Sequence, residues 1–320
     1  MIWLWVVLGV FITYLMTSFM FLINPHLLHE KKKHPFKCKH ISHRGGAGEN
    51  LENTMSAFRH AASQGTEMFE IDVQLTADSQ VVISHDNHLQ RLTGEDCYIS
   101  DLNYNDLPLL LHTLTVTFNP NETTTCSNND RKIPLLQNLF DEFPTMPINI
   151  DVKTHNENLV NEVLQLVEKY NRKNLIAMGS VNDKTAKLLH RKEKNVPYFF
   201  SVKQAILLVV SFYFGILPFL SIKEHFFEIP FIRTFLRHPN IPMFFKVILY
   251  ICDWLLRSPT LYKHLQKRGI QVFIWVINKE DDFKYCFEYL KVDGIMTDYP
   301  TRLSKYLDSM KSGYKTISPQ

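Results

Sequence analysis

The sequence predicts an α/β fold: a (β/α)8 barrel of the TIM type, with an N-terminal transmembrane helix and two insertions. Three observations lead to this prediction. An uncharged apolar segment opens the chain. From residue 38 onward, short β-branched apolar runs alternate with helical patterns, as in folds with a parallel sheet. Histidines, carboxylates and basic residues follow the first of these runs, and barrel active sites lie at the carboxyl ends of strands.

The opening segment from Ile2 to Ile23 contains no charged side chain. As a helix rising about 1.5 Å per residue it would span about 30 Å, the thickness of a bilayer's hydrocarbon core. A cleaved signal peptide would have a basic start, a shorter apolar run and a small-residue cleavage site, which this segment lacks. We therefore predict a transmembrane anchor over residues 1–24 and a basic juxtamembrane linker over residues 25–37.

Two signals disagree about the side of the membrane. Lys31, Lys32 and Lys33 follow the anchor, and the positive-inside rule then places the body of the protein in the cytosol. Asn121-Glu122-Thr123 is an N-glycosylation acceptor, which is used only in a lumenal domain. Giving the lysines more weight, we predict a cytosolic catalytic domain on an intracellular membrane, the endoplasmic reticulum or the perinuclear membrane.

Composition excludes several classes of protein. The net charge of +3 is too small to indicate a nucleic-acid partner. The five cysteines are widely spaced and form no CxxC pair, so neither a disulfide scaffold nor a zinc site is expected. We predict free thiols.

The barrel is predicted over residues 38–310, followed by a tail over residues 311–320. Its eight strand signals are residues 40–42, 68–75, 81–84, 148–152, 175–178, 198–201, 272–277 and 294–297. Helical patterns include residues 51–64 and 156–170. The gap between the second and third strand signals is too short for a helix, so one crossover is expected to be degenerate.

Two insertions interrupt the pattern, at about residues 87–131 and 203–252. The first is polar and rich in turns, and is expected to form a small subdomain beside the barrel opening. The second contains residues 205–220, which carry no charge and end near Pro218. This run is shorter than the ~20 residues of a bilayer crossing, and a true crossing would separate the last two strands from the other six. A membrane-dipping or lipid-binding insertion, a buried helix and a true span remain as alternatives.

Seven polar side chains are predicted to converge where the first four strands end. Glu70 and Asp72 are two residues apart on one strand and therefore point to the same face. Carboxylates and water suit one divalent cation, Mg²⁺ or Ca²⁺, while histidines can transfer protons and basic side chains can neutralise a phosphate. The seven are His43, Arg44, Glu70, Asp72, His85, Asp151 and Lys153. Together they predict a metal-dependent phosphodiesterase.

Four motifs resemble the glycerophosphodiester phosphodiesterase family: HRG at 43–45, ENT at 52–54, EIDVQLTADSQVVISHD at 70–86 and DVK at 151–153. Trp275 and Asp298 also fit this family. The anchor, the run HISHRGGAGENLENTM and the segments FFEIP and GIMTDYP resemble its membrane-anchored lysophospholipase D branch. Two positions depart from the family: Asp151 stands where most members have Glu, and Leu51 where many have Pro.

The resemblance implies a role for each candidate residue. Glu70, Asp72 and Asp151 would hold the cation, and Arg44 and Lys153 would bind the substrate phosphate. His43 would act as the base and His85 as the acid, and Asn53 and Trp275 would belong to the substrate pocket. The nucleophile would be the free 2-hydroxyl of the substrate, with a cyclic phosphate as the intermediate.

The function predicted from these residues is hydrolysis of lysophospholipids in a membrane. The substrates would be lysophosphatidylcholine, lysophosphatidylethanolamine and glycerophospho-N-acylethanolamines, and the products lysophosphatidic acid or its relatives and the free alcohol. Three alternatives stay open: hydrolysis of water-soluble diesters such as glycerophosphocholine, phospholipase C-type cleavage, and an inactive lipid-binding scaffold. The expected partners are the lipid substrate and the bilayer, and no protein partner is inferred.

Overall fold

Parallel strands curve around a common interior in the computed structural model, which describes residues 1–126, 129–237 and 241–315. The strands are β1 His40–His43, β2 Met68–Leu75, β3 Val81–Ile83, β4 Thr113–Val116, β5 Asn119–Thr125, β6 Ile148–Val152, β7 Ile176–Gly179, β8 Phe226–Pro230, β9 Gln271–Trp275 and β10 Gly294–Thr297. The main sheet has the order β7-β6-β2-β1-β10-β9-β8.

The sheet closes into a barrel through two residues between β7 and β8. Tyr198 forms a parallel bridge with Met178, and Phe199 forms one with Phe226. These two residues take the place of the strand predicted at 198–201. The arrangement confirms the predicted (β/α)8 barrel, with one strand position reduced to a pair of bridges.

Two strand assignments made from the sequence were wrong. The run predicted as the third barrel strand is β3, which pairs antiparallel with β2 and lies off the barrel path. Only residues 76–80 separate β2 from β3, and a parallel crossover needs a dozen or more residues. The barrel strand that replaces it is Phe226–Pro230, which lies within the range predicted as the second insertion.

The helices lie mainly outside the barrel. They are α1 Ile2–Ile23, α2 Met55–Ser63, α3 Gln90–Thr93, α4 Leu136–Glu142, α5 Glu157–Lys169, α6 Asp183–Lys192, α7 Val202–Tyr213, α8 Ile232–Leu236, α9 Met243–Leu256, α10 Pro259–Lys267, α11 Glu280–Lys284 and α12 Pro300–Lys315. A π-helix covers Tyr285–Leu290, and 3₁₀ turns cover Pro25–Leu27, Ile99–Asp101, Tyr104–Asp106, Lys173–Leu175 and Leu217–Phe219.

Side-chain alternation along the strands separates the core from the site. On β2, Phe69 and Ile71 are fully buried in the hydrophobic cluster that also contains Leu159 of α5. Glu70 and Asp72 alternate with them and therefore point to the barrel interior. The same pattern that packs helices on the outside thus places carboxylates inside.

The two insertions lie near the barrel opening. In the first, β4 and β5 form an antiparallel hairpin, and Leu89, Leu92 and Ile99 belong to a separate small apolar cluster. In the second, α7 is followed by the 3₁₀ turn Leu217–Phe219, and α9 follows β8. The 12 residues of α7 are fewer than a helical bilayer crossing needs, which counts against the true-span alternative.

Among the helices within the described residues, α1 alone is long and apolar enough to cross a bilayer. By length and composition it fits a membrane anchor and equally a signal sequence. The prediction of free thiols is confirmed for Cys38, Cys97, Cys252 and Cys286.

Two buried histidines, His40 and His264, and the half-buried His225 make the fold sensitive to acid. Burial lowers the pKa of His40, His225 and His264 to about 4, below the 6.5 of an exposed imidazole. The unfolded chain therefore binds more protons between these values, and stability is complete above pH 6.5 and lost as the pH falls towards 4. At about 1.4 kcal/mol per pKa unit, the shift of the buried His40 corresponds to a few kcal/mol of this pH-dependent stability.

We expect the melting temperature of the full chain to fall steeply between pH 6.5 and pH 4. His40→Asn should flatten this dependence, because one of the three titrating groups is removed. His112→Asn, at an exposed position, is the matched control and should leave the slope unchanged. Equal slopes for His40→Asn and the wild type would contradict the assignment.

Candidate active site

A cavity of about 730 Å³ opens at the carboxyl ends of the barrel strands. Six of the seven predicted polar residues line it: His43, Arg44, Glu70, His85, Asp151 and Lys153. The seventh, Asp72, is almost completely buried and contacts two of them, Arg44 and Lys153. Trp275 also lies in the cavity wall. The structure therefore brings together side chains from β1, β2, β6, β9 and the loop after β3.

His43 ends β1 and is held by a carboxylate on each side. Its Nδ1 lies 2.6 Å from Asp298 Oδ1, and its Nε2 lies 3.9 Å from Glu70 Oε2. Burial alone would lower the pKa of His43, but the charges of Glu70 and Asp298 outweigh burial and raise it. Asn278 fixes Asp298 in turn, since its Nδ2 donates to Asp298 Oδ2 at 2.8 Å. The imidazole is thus oriented by a chain of buried partners.

The turn after His43 requires glycine. Arg44, Gly45 and Gly46 all have positive φ angles, of 50°, 74° and 94°. A Cβ atom on Gly45 would lie 2.9 Å from the Phe58 ring, too close for any other residue. The turn brings the Arg44 backbone N–H within 3.0 Å of Glu70 Oε2, where it donates a hydrogen bond. The HRGG motif therefore shapes the backbone as well as supplying two functional side chains.

Arg44 and Lys153 are the cations of the site. Arg44 Nη1 donates to Glu52 Oε1 at 3.0 Å, and its Nε lies 3.2 Å from Asp72 Oδ2. Lys153 Nζ lies 2.8 Å from Asp72 Oδ1 and 2.7 Å from Asp151 Oδ2. Burial opposes ionisation of Asp72, but Lys153 and Arg44 outweigh it and hold the Asp72 pKa far below its usual range.

The other two carboxylates, Glu70 and Asp151, have raised pKa values. Burial, together with the charge of Asp72, raises the pKa of Glu70 to about 7. Burial also raises the pKa of Asp151, whose Oδ1 is buried without a hydrogen-bond partner among the described residues. Carboxylate oxygens with unused acceptor capacity are suitable ligands for Mg²⁺ or Ca²⁺. The residue types present therefore fit a divalent cation.

The carboxylates are not gathered around a common point. Within residues 1–126, 129–237 and 241–315, no three His, Cys, Asp or Glu side chains lie close enough together to hold a metal ion. Instead, the Lys153 ammonium lies between Asp72 and Asp151. A cation bound by both would have to displace this ammonium.

His85 reaches the cavity from outside the barrel sheet. It follows the antiparallel strand β3, and Gln74 Nε2 of β2 donates to its backbone carbonyl at 3.1 Å. Its Nδ1 lies 2.5 Å from Asp86 Oδ1, which leaves Nε2 available. Burial opposes ionisation of Asp86, but hydrogen bonds from His85 and Arg91 lower its pKa well below the usual range. His85 is thus oriented by a charged carboxylate, as His43 is.

Asn53 does not belong to the cavity wall. It is buried with a φ angle of 58°, and its Nδ2 lies 3.4 Å from Asp72 Oδ2. It lies instead beside His85 in the lining of a smaller cavity, and its role in the substrate pocket stays a prediction.

One side of the cavity is apolar. Helix α7 contributes Ile206, Val209 and Val210, and helix α9 contributes Leu255 and Leu256. Both helices belong to the second insertion. The cavity therefore joins a charged end at the barrel strands to a hydrocarbon-lined side between α7 and α9.

Comparison with known proteins now assigns the family. The model of the Glycerophosphoryl diester phosphodiesterase family matches residues 43–302. The chain belongs to this family. Human lysophospholipase D GDPD1 is 45% identical over 302 residues, covering 93% of this chain and 95% of that protein. Human lysophospholipase D GDPD3 is 35% identical over 301 residues, covering 93% of each chain.

Solved structures of the glycerophosphodiester phosphodiesterase family share the fold. A putative member from Silicibacter pomeroyi matches with a TM-score of 0.63 at 19% identity, covering 88% of this chain and 96% of its own. A phosphodiesterase from Oleispira antarctica, solved with the product sn-glycerol-3-phosphate, matches with a TM-score of 0.59 at 18% identity, covering 85% and 98%. The predicted family and its phosphodiesterase activity are confirmed.

Sequence reasoning about this glycerophosphodiester phosphodiesterase missed several cavity residues, among them Glu228 and Phe118. Glu228 lies on β8 and accepts a hydrogen bond of 2.7 Å from Asn149 Nδ2. Burial, reinforced by Glu70 and Asp151, raises the Glu228 pKa well above its usual range. A single acidic residue inside the apolar run FFEIP was the available signal. Phe118 packs edge-on against His43, with 5.5 Å between ring centroids, and its hairpin carries no comparable signal.

Proposed function

We propose that this enzyme is a membrane-anchored lysophospholipase D. It would hydrolyse lysophosphatidylcholine, lysophosphatidylethanolamine and glycerophospho-N-acylethanolamines to lysophosphatidic acid or its relatives and the free alcohol. The observation that carries the proposal is the joined cavity, in which the catalytic side chains and the apolar walls of α7 and α9 share one volume of about 730 Å³. A water-soluble diester has no use for the apolar side. The relatives named lysophospholipase D cover nearly the whole chain.

Each residue then has a role. His43, oriented by Asp298, takes the proton of the substrate 2-hydroxyl, whose oxygen attacks the phosphorus. His85 gives a proton to the head-group oxygen as its bond to phosphorus breaks, and a cyclic phosphate remains. The two histidines exchange roles when water opens this ring. Arg44 and Lys153 neutralise charge on the phosphate.

One divalent cation completes the proposed site. Glu70, Asp72 and Asp151 would hold Mg²⁺ or Ca²⁺, and the unpaired Asp151 Oδ1 and the raised Glu70 pKa support this assignment. The cation supplies polarisation of the phosphoryl oxygen. Lys153 would then leave its place between the two aspartates and turn to the phosphate.

The proposed location follows from α1 as the anchor. The lysines after α1 favour a cytosolic barrel on the endoplasmic reticulum or the perinuclear membrane. Asn121 is exposed on β5 and provides the check, because glycosidase-sensitive modification of this residue in cells would place the barrel in the lumen.

A product assay with a cavity-filling variant tests the function. The wild type should release choline from lysophosphatidylcholine and leave lysophosphatidic acid. Ala205→Trp places an indole in the apolar wall and should lower kcat/KM for this lipid by about tenfold or more, because the acyl chain loses its space. Turnover of glycerophosphocholine by this variant should remain close to that of the wild type.

Ala77→Trp, at an exposed turn between β2 and β3, is the matched control and should affect neither substrate. Turnover of glycerophosphocholine alone would favour the soluble-diester alternative. Release of phosphocholine would indicate phospholipase C-type cleavage, and inactivity on both substrates would favour the scaffold.

A further inference from the structure

Helix α1 packs against the turn that follows α7. Tyr14 Oη donates a hydrogen bond of 2.6 Å to the carbonyl of Phe214, and Ser18 Oγ donates one of 2.7 Å to the carbonyl of Gly215. The Phe21 ring packs edge-on against Phe219, with 5.8 Å between centroids. Residues 14–21 of α1 thus lie alongside residues 214–219.

The C-terminal end of α1 is fixed to the barrel. His264 Nδ1 lies 2.9 Å from the carbonyl of Leu22, and Lys267 Nζ donates to the carbonyl of Ile23 at 2.6 Å. Both partners lie on α10, which packs beside β9. The level at which α1 leaves the protein body is therefore defined by these contacts.

The depth of the 214–219 turn follows from helix geometry. Tyr14 precedes Ile23 by nine residues, or about 13 Å along the helix axis. The hydrocarbon core of a bilayer is about 30 Å thick. If α1 crosses the bilayer, the carbonyls of Phe214 and Gly215 lie inside the near leaflet. Backbone carbonyls at that depth must be paired, and Tyr14 and Ser18 provide the hydroxyls that pair them.

The surface around this turn is suited to lipid. Leu207 and Phe214 are 56% and 69% exposed, and Phe244 at the start of α9 is 71% exposed. Tyr213 joins the two helices, since its hydroxyl donates to the carbonyl of Leu255 at 2.7 Å and its ring stacks on Trp254. We refer to α7, the turn to Phe219 and α9 as the leaflet surface.

The cavity reaches the leaflet surface at α7. Ile206 and Val210 line the cavity and are nevertheless 57% and 45% exposed. Phe199 precedes α7 and Phe226 follows it in the chain, and these two residues form a bridge in the barrel. The segment that contains α7 therefore begins and ends at the barrel. Lys203 and Lys223 flank the segment, where they can reach lipid head groups.

We propose that residues 202–220 form a re-entrant element, which enters and leaves the same bilayer leaflet beside α1 and admits the lipid substrate from that leaflet into the cavity. The occupant of the leaflet surface is lipid hydrocarbon. The proposal rests on the membrane anchor and the lipid substrate proposed above.

Photolabelling of the unaltered full chain tests the contact with lipid. The protein is reconstituted in phosphatidylcholine vesicles that contain a phosphatidylcholine with a diazirine in its acyl chain, and adducts are mapped by mass spectrometry. Adducts within residues 206–219 and on α1 are expected, with none on the exposed Tyr98 of the first insertion. Adducts on α1 alone would overturn the proposal. Cross-links between residues 206–219 of two copies, without lipid adducts, would also overturn it and indicate a dimer surface.

Cysteines at the two flanking lysines test the sidedness. Lys203→Cys and Lys223→Cys should react with a membrane-impermeant maleimide from the same side of sealed vesicles, above the labelling of the unsubstituted chain. Reaction from opposite sides would mean a true crossing and refute the re-entrant element.

A charge at the turn tests the route of the substrate. Phe214→Asp should lower turnover of lysophosphatidylcholine in vesicles by about tenfold or more, because a carboxylate is costly in hydrocarbon. Turnover of glycerophosphocholine should be unchanged, which shows that the barrel is folded. Tyr98→Asp is the control and should match the wild type on both substrates.

The two proposals fail in different ways. A wild type that hydrolyses neither substrate contradicts the proposed function, while photolabelling still reports on the leaflet contact. Full turnover of vesicle-bound lysophosphatidylcholine by Phe214→Asp would overturn entry from the leaflet, with the lysophospholipase D function left intact.

Discussion

His43→Ala should lower kcat for diester hydrolysis by about a thousandfold, within the range expected for removal of a general base. His43 is buried at the end of β1, with its Nδ1 2.6 Å from Asp298 Oδ1 and its Nε2 directed into the cavity. The measurement is the release of glycerol phosphate from saturating glycerophosphocholine. This soluble substrate separates the chemical step from lipid binding.

The carboxylates beside His43 determine how the activity depends on pH. Asp298 and Glu70 raise the His43 pKa, and a base must be neutral to accept a proton, so activity should rise as the pH passes this raised value. Asp298→Asn removes one of the two charges. The rise should therefore move to lower pH, while maximal kcat falls because the imidazole is less firmly oriented.

His112→Ala, at an exposed position, is the control and should retain full activity. A His43→Ala enzyme that folds like the wild type and keeps more than about a tenth of its activity would contradict the assignment of the base.

Chelation of divalent cations should abolish turnover, and added Mg²⁺ or Ca²⁺ should restore it. Asp151→Asn should raise the cation concentration needed for half-maximal activity by about a hundredfold, because a charged ligand is lost from a small set. Asp151→Glu should be much milder, since it restores the side chain that most of the family carries here. Titration of activity with each metal chloride measures these constants.

Asp106→Asn, which removes an exposed carboxylate in the first insertion, serves as the matched control. Full activity in the presence of chelator, together with an Asp151→Asn enzyme that resembles the wild type, would refute the cation site. The pKa values of Glu70 and Asp151 offer an independent measurement. Both pKa values are raised, and a bound cation should lower them.

The polar residues at the catalytic end of the barrel could be predicted from the sequence, but not all of the barrel strands. Strand alternation was sufficient to place Glu70 and Asp72 on the interior face of β2. A short β-branched run can become a barrel strand or pair antiparallel with the strand before it. Its pairing partners decide between the two, and the local sequence pattern does not specify them. For this reason Val81–Ile83 was assigned to the barrel, although it pairs antiparallel with β2.

The barrel strand that the sequence analysis did not identify lies in the range predicted as the second insertion. Phe226–Pro230 is a short apolar run, and periodicity alone does not distinguish a buried strand from a buried helix in such a run. Glu228 was missed with it, because its role depends on Asn149 of β6 across the barrel. For Asn53 the structure adds a contact that the motif did not predict, with its Nδ2 3.4 Å from Asp72 Oδ2.

The contacts of Lys267 and His264 with the last carbonyls of α1 have a consequence for kinetics. A flexible tether would let the catalytic domain tumble and sample dissolved and membrane-bound substrates alike. If α1 is the proposed membrane anchor, its attachment to the barrel would hold the domain in one orientation, with the opening turned toward the lipid. Encounters with the proposed substrate would then take place by diffusion in two dimensions, and the rate would follow the mole fraction of lysophospholipid in the membrane instead of its concentration in the surrounding water.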